Sequence, residues 1–70
     1  MRCIVKYVHP RNGSTYYFVD FRTVDGNLQP IGCFPCHKNK ATIFEHKWFA
    51  NSVVKHLKAM GCPYCKIIFI

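Results

Sequence analysis

The sequence predicts a small α+β protein with one short helix, and three observations support this class. β-branched and aromatic residues are concentrated near the N-terminus and in the tail after residue 65, which is typical of strands. Apolar residues recur at helical spacing between residues 53 and 60. Because a chain of 70 residues buries only one core, we expect a single domain over residues 1–70.

Residues 1–31 are predicted to form a β-hairpin or short sheet. The segments Arg2–Val8 and Thr15–Thr23 are rich in β-favouring residues. Asn12-Gly13 lies between them and is a strong turn signal, because both residues tolerate positive φ. The two segments are therefore expected to pair as antiparallel strands. Cys3 lies in the first of them and is expected to be buried as a small hydrophobic residue.

A second turn and a third strand are expected next. Asp25-Gly26 predicts the turn, and Leu28–Ile31 predicts the short strand. The alternation of side chains along the second strand predicts its two faces. Tyr17, Val19 and Phe21 are expected on one face, and Tyr16, Phe18, Asp20 and Arg22 on the other.

The remaining segment, residues 32–70, contains the predicted helix and a further strand. Asn51 is a suitable N-cap, and Gly61 suits a left-handed C-cap. Between these two residues, four apolar side chains recur at helical spacing: Val53, Val54, Leu57 and Met60. The apolar tail Lys66–Ile70 is expected to pair into the sheet.

The assignment of Ala41–Phe49 is less direct. Its residues alternate well enough to predict a strand, and a helix that starts near Glu45 is an open alternative.

Four cysteines form two CxxC pairs, Cys33 with Cys36 and Cys62 with Cys65. Zinc prefers four ligands in a tetrahedron, and two thiolates three positions apart reach one ion from a tight turn. The loop between the pairs is long enough for a strand and a short helix. These four residues are therefore the predicted ligands of one zinc ion that the domain needs to fold. His37 as a ligand in place of Cys36 is an open alternative.

Two other kinds of cysteine chemistry compete with zinc. Disulfides would require export, and residues 1–9 do not have the pattern of a signal peptide. Cys62-Pro63-Tyr64-Cys65 is also the active-site motif of glutaredoxins, in which it opens a helix whose N-terminus lowers the pKa of the first thiol. Here the motif follows the predicted helix, so a thiol–disulfide oxidoreductase is the weaker alternative.

From Cys33 onward, the chain resembles small zinc-ribbon and treble-clef-like domains of phage and homing-endonuclease-associated proteins. The matching features are Cys33-Phe34-Pro35-Cys36-His37, Phe44, Asn51, His56-Leu57 and Gly61-Cys62-Pro63-Tyr64-Cys65. In the family the first knuckle often reads Cys-x-x-His followed by Gly, whereas here Cys36 takes the second ligand position. The resemblance covers a little over half the chain. It implies a zinc-ribbon-like, zinc-stabilised unit over residues 32–70 and no particular function.

The charge of the chain points to an acidic partner. Ten Lys or Arg residues against three Asp or Glu give a formal net charge of +7, which favours nucleic acid or an acidic protein surface. The predicted binding residues are Lys38, Lys40, Lys47, Lys55, Lys58 and Arg22. Tyr16, Phe18 and Arg22 are a candidate stacking platform for single-stranded bases. A solvated lysine face and an aromatic core are the alternative.

Together these observations predict a non-catalytic zinc-binding module that binds nucleic acid. An enzyme is not expected, because four thiolates close the zinc shell and no catalytic motif or small-molecule substrate site is evident. The alternative is a small, phage-encoded regulator that binds and modulates a larger host protein. No segment approaches the roughly twenty apolar residues of a membrane span, so no membrane partner is expected. The expected location is a reducing cytoplasm, that of the host if the protein is phage-encoded.

Overall fold

The computed structural model describes residues 2–70, and their β-favouring segments form four strands. These are β1 (Cys3–Val8), β2 (Thr15–Val24), β3 (Asn27–Cys33) and β4 (Cys65–Phe69). They make one antiparallel sheet in the order β3-β2-β1-β4. The α+β class and the pairing of the C-terminal tail into the sheet are therefore confirmed. Because β4 pairs with β1, residues 1–31 and 32–70 share this sheet.

The two predicted turns are confirmed and join neighbouring strands. Asp25 and Gly26 connect β2 to β3 with φ angles of 51° and 79°. Positive φ at both central residues is the geometry of a type I′ hairpin turn, which matches the twist of the flanking strands. In the first turn, Gly13 has φ 71°. There the backbone amide of Ser14 donates to the side-chain oxygen of Asn12 at 2.8 Å.

A β-bulge in β2 changes the predicted faces of this strand. Its pairing with β3 is continuous except at Val19, which has no partner. Phe18 and Phe21 consequently lie on the same face, with ring centroids 4.8 Å apart. The predicted grouping of Phe21 with Tyr17 is therefore wrong, because strict alternation ends at the bulge.

The predicted strand over Ala41–Phe49 is wrong as well. A 3₁₀ helix, Pro35–Lys40, precedes this segment, in which residues 41–46 form an extended stretch and residues 47–49 begin the α-helix. The backbone amide of Thr42 donates to Phe18 in β2 at 3.1 Å, and Phe44 exchanges two backbone hydrogen bonds with Cys3 in β1. The extended stretch thus lies between β1 and β2 where these two strands separate.

The helix α1 (Lys47–Ala59) begins a full turn before the predicted N-cap Asn51. The open alternative of a start near Glu45 was closer. His46 occupies the N-cap position without a capping side-chain hydrogen bond, and Ala50 in the first turns is completely buried. Burial of this early turn therefore outweighs the better capping chemistry at Asn51.

The C-terminal end of α1 agrees with the prediction. Gly61 has φ 90°, and the backbone amide of Cys62 donates to the carbonyl of Leu57 at 2.9 Å. Such a bond satisfies a helix carbonyl that would otherwise have no partner. The turn thereby directs the chain from the helix into the second CxxC motif.

The core lies between α1 and the β1–β4 half of the sheet. Its buried side chains are Cys3, Val5, Tyr7, Phe18, Phe44, Ala50, Val53, Leu57 and Cys62. The predicted burial of Cys3 is confirmed. We call the side of the sheet against α1 the helix face and the other side the open face.

Candidate functional site: two cysteine pairs and a basic depression

The CxxC residues lie at one end of the sheet. Cys33 ends β3, Cys65 begins β4, and Cys62 follows the C-terminal turn of α1. Cys36 is exposed in the 3₁₀ helix that follows β3. The fold therefore brings both predicted pairs to the same end of the protein, as two separate groups.

The two pairs do not converge on one metal position. β3 and β4 are the outer strands, so three strand spacings of about 4.8 Å each separate Cys33 from Cys65. The register also places them on different faces, since Cys33 pairs with Tyr17 and Cys65 pairs with Tyr7. Two sulfur ligands of one zinc ion lie only about 4 Å apart.

The positions of the other metal-ligating side chains agree with this separation. Within residues 2–70, no group of three or more His, Cys, Asp or Glu side chains is close enough to hold a metal ion. The cysteines in this arrangement therefore do not fit a four-thiolate centre. Zinc binding by Cys33, Cys36, Cys62 and Cys65 stays a prediction, and it requires residues 33–36 to move toward the helix face.

Cys62 and Cys65 are free thiols that pack against the end of α1. The Cys65 thiol donates to the carbonyl of Cys62 at 3.4 Å and to that of Val54 at 3.8 Å. Burial raises the pKa of Cys62, and the neighbouring Cys65 raises it further. Burial also raises the pKa of Cys65, although Lys58 partly opposes the effect. A raised thiol pKa reduces the thiolate fraction that nucleophilic chemistry needs.

Tyr7 lies between the two cysteine pairs. Burial raises the pKa of its hydroxyl to about 12, with smaller contributions from Cys62, Tyr16 and Cys33. Its ring is 2% exposed, and it packs 5.8 Å from the ring of Tyr16. The buried ring of Tyr7 therefore lies beside Cys65 on the helix face, between β4 and the end of β3 that carries Cys33.

The six predicted binding residues are all exposed but do not form one surface. Lys47, Lys55 and Lys58 belong to α1, which packs on the helix face. Arg22 lies beyond the bulge in β2, on the open face. Lys38 and Lys40 belong to the 3₁₀ helix, and the ammonium of Lys38 lies 5.9 Å from the ring centroid of Tyr17. The six residues are therefore distributed over both sides of the sheet: Lys38, Lys40, Lys47, Lys55, Lys58 and Arg22.

The predicted stacking platform is wrong. Phe18 is only 3% exposed and packs in the core on the helix face. Because of the bulge, Arg22 lies on the opposite face from Phe18 and Tyr16. These three residues therefore offer no common surface to a ligand.

The open face carries a row of basic residues, Lys6 and Lys66, that was not predicted from the sequence. Lys6 in β1 lies directly opposite Lys66 in β4 and, on its other side, opposite Tyr17 in β2. Side chains opposite each other on neighbouring strands share a face. The two lysines are 60 positions apart in the sequence, so only the strand register shows that they are neighbours.

A shallow depression lies beside this lysine pair. It is lined by Lys6, Val8, Pro63, Tyr64, Cys65 and Lys66, and we call it the basic depression. Tyr64 is 75% exposed, and its carbonyl accepts a hydrogen bond from the amide of Val8 at 2.9 Å. Among the described residues that line the depression, none is acidic. It therefore combines two cations with an exposed aromatic ring.

Comparisons with known proteins identify no relative of this chain. No family model, curated protein or solved structure matches the chain. No helix among residues 2–70 is long and apolar enough to cross a membrane.

Proposed function

We propose that this protein is a non-catalytic module that binds nucleic acid on the open face of its sheet. The observation that carries the proposal is the direct cross-strand pairing of Lys6 with Lys66. Like charges in this arrangement repel each other and destabilise the free protein. A bound phosphate removes the repulsion and gains from both ammonium groups, so the pair favours a polyanionic ligand.

Several features of the same face support this proposal. Tyr17 continues the lysine row onto β2, and Lys38 lies over its ring. Aromatic rings between cations are typical of surfaces that bind single strands, where bases stack and phosphates pair with lysines. The net charge of +7 adds long-range attraction for a polyanion.

The test is fluorescence anisotropy with labelled oligonucleotides across a salt series. The variant Lys6→Ala/Lys66→Ala removes both positive charges of the cross-strand pair, and Lys55→Ala/Lys58→Ala removes two positive charges from α1. Loss of affinity in the first variant with little change in the second supports the open face as the binding surface. An absence of binding at low salt removes the proposal.

Zinc binding is part of the proposed function, supported by the two CxxC motifs, and it requires residues 33–36 to move toward the helix face. A zinc ion there would fix the segments around Cys33 and Cys62, on either side of Tyr7. A reducing cytoplasm is the proposed location, since thiol ligands must stay reduced to bind metal. Native mass spectrometry tests the metal content.

The alternative, a regulator that binds a larger protein, is favoured by a different surface. Four large hydrophobic side chains are exposed where α1 begins and β4 ends: Trp48, Phe49, Phe69 and Ile70. Lys47 lies beside them, with its ammonium 5.9 Å from the Phe69 ring centroid. Exposed aromatic residues next to a cation are common at protein interfaces.

A pull-down from the native host tests this alternative. Capture of a protein that survives nuclease treatment and is lost in Trp48→Ala would favour it over nucleic-acid binding. Phe34→Ala is the control, because Phe34 is also exposed but lies after β3, at the opposite end of the sheet.

A further inference from the structure

We propose that the basic depression is a base-binding site and that the nucleic acid recognised is single-stranded. The inference rests on the proposed function and specifies its ligand. In this site a base packs against Tyr64, and the adjoining phosphate lies between Lys6 and Lys66.

The walls of the depression have the chemistry that a base and its phosphate require. Val8, Pro63 and the Tyr64 ring supply apolar surface, and Lys6 and Lys66 line the same depression. The aromatic ring already lies at the surface, because Tyr64 is 75% exposed. Base stacking on such a ring therefore requires no disruption of the core.

The backbone holds Tyr64 beside the lysines. Pairing of β1 with β4 continues past Cys65, through the hydrogen bond from the amide of Val8 to the carbonyl of Tyr64. Since side chains alternate along a strand, Tyr64 and Lys66 lie on the same face. The ring and the Lys6–Lys66 pair are thus neighbours on the open face of the sheet.

A second aromatic residue lies on the other side of the lysine pair. Tyr17 is opposite Lys6 on β2, so the order across the sheet is Tyr17, Lys6 and Lys66, with Tyr64 preceding Lys66 by two positions. Two rings that flank two cations match a strand in which successive bases flank a phosphate. Lys38 over the Tyr17 ring adds a third cation for the neighbouring phosphate.

This arrangement selects single strands over duplexes. In a duplex the base faces are covered by their neighbours, so stacking on Tyr64 would first require unstacking. In a single strand the faces are available, and stacking on an aromatic ring tolerates any base. We therefore expect little sequence preference and a clear preference for unpaired strands.

The experiment compares three ligands of equal length by anisotropy: an oligothymidine, an abasic strand with the same phosphates, and a duplex. Wild-type protein should bind oligothymidine about tenfold more tightly than the abasic strand, the magnitude of one stacked base. Tyr64→Ala should reduce this difference, since only the base beside Tyr17 can then stack, and should leave the affinity for the abasic strand unchanged. Tyr64→Phe keeps the ring and should bind like the wild type, as should the control Phe34→Ala.

The outcomes separate this inference from the proposed function. Equal wild-type affinity for all three ligands, unchanged by Tyr64→Ala, overturns the base site and leaves phosphate binding standing. Preferential binding of the duplex overturns the single-strand assignment. An absence of binding to every ligand at low salt overturns both proposals. Circular dichroism of each variant confirms that the fold is retained.

Discussion

The side chain of Tyr7 in β1 extends over β2, and its hydroxyl group packs against the α-carbon of Gly32 in β3. A Cβ atom at position 32 would clash with this hydroxyl and would lie 2.7 Å from the Cβ of Tyr16. Gly32 does not have a positive φ angle, so its backbone conformation does not require glycine. Glycine is required at this position because there is no space for a side chain. The contact joins the central strand β1 to the outer strand β3 beside the cysteine pairs.

Gly32→Ala should consequently destabilise the protein. Overpacking of this kind costs about 1–3 kcal/mol, and each kcal/mol lowers the melting temperature of a domain of this size by about 4–8 °C. Thermal denaturation measures the effect. Tyr7→Phe in the Gly32→Ala background removes the nearest atom and should recover part of the loss. A melting temperature unchanged by Gly32→Ala would contradict the close packing of Tyr7.

Tyr7 should also make the stability fall at high pH. Burial raises the pKa of Tyr7 to about 12, above the ordinary tyrosine pKa of about 10, so the unfolded chain loses this proton first. The stabilisation is complete below pH 10 and is lost as the pH rises through 12, about 2 kcal/mol over the window. Urea denaturation at several pH values measures it. Tyr7→Phe should show a shallower decline, and an identical slope in both proteins would contradict the prediction.

Zinc removal tests the metal prediction. Protein purified without added metal should carry one zinc per chain in native mass spectrometry, and chelation or Cys62→Ser should abolish the dispersed amide signals because binding and folding are coupled. Cys33→Ser should have the same effect only if both pairs bind the same ion. A fully folded, metal-free Cys62→Ser protein would remove the zinc prediction.

Thiol reactivity tests the oxidoreductase alternative. Cys62 is 2% exposed and has a raised pKa, whereas Cys36 is exposed. Iodoacetamide at neutral pH should therefore modify Cys36 before Cys62, as followed by peptide mass spectrometry. A Cys62 that reacts first, together with glutathione-dependent turnover, would instead indicate an activated thiol of the glutaredoxin kind.

The sequence predicted those features that depend on local chemistry. The Asp25-Gly26 turn, the left-handed Gly61 and the strand in the C-terminal tail all follow from backbone preferences of nearby residues. The helix start was missed because burial of Ala50, a tertiary effect, outweighed the capping preference of Asn51. Local preferences therefore identified the elements more reliably than their boundaries.

The candidate site depended on register, which the sequence does not display. The bulge at Val19 shifts the alternation of side chains by one residue. Phe21 therefore lies on the helix face with Phe18, and Arg22 lies on the open face. The Lys6–Lys66 pair arises from an antiparallel contact between the first and last strands. The CxxC spacing identified chemically related residues, but spacing alone could not show that two strands separate the pairs.

The salt dependence of oligonucleotide binding tests the central claim most directly. For single strands, each phosphate contact contributes about 0.7 to the slope of log affinity against log salt. Because one phosphate lies between the two lysines, Lys6→Ala/Lys66→Ala should lower the slope by about 0.7 and weaken binding, while Lys55→Ala/Lys58→Ala should change the slope much less. Equal losses in the two variants, or a larger loss in the α1 variant, would contradict binding at the open face.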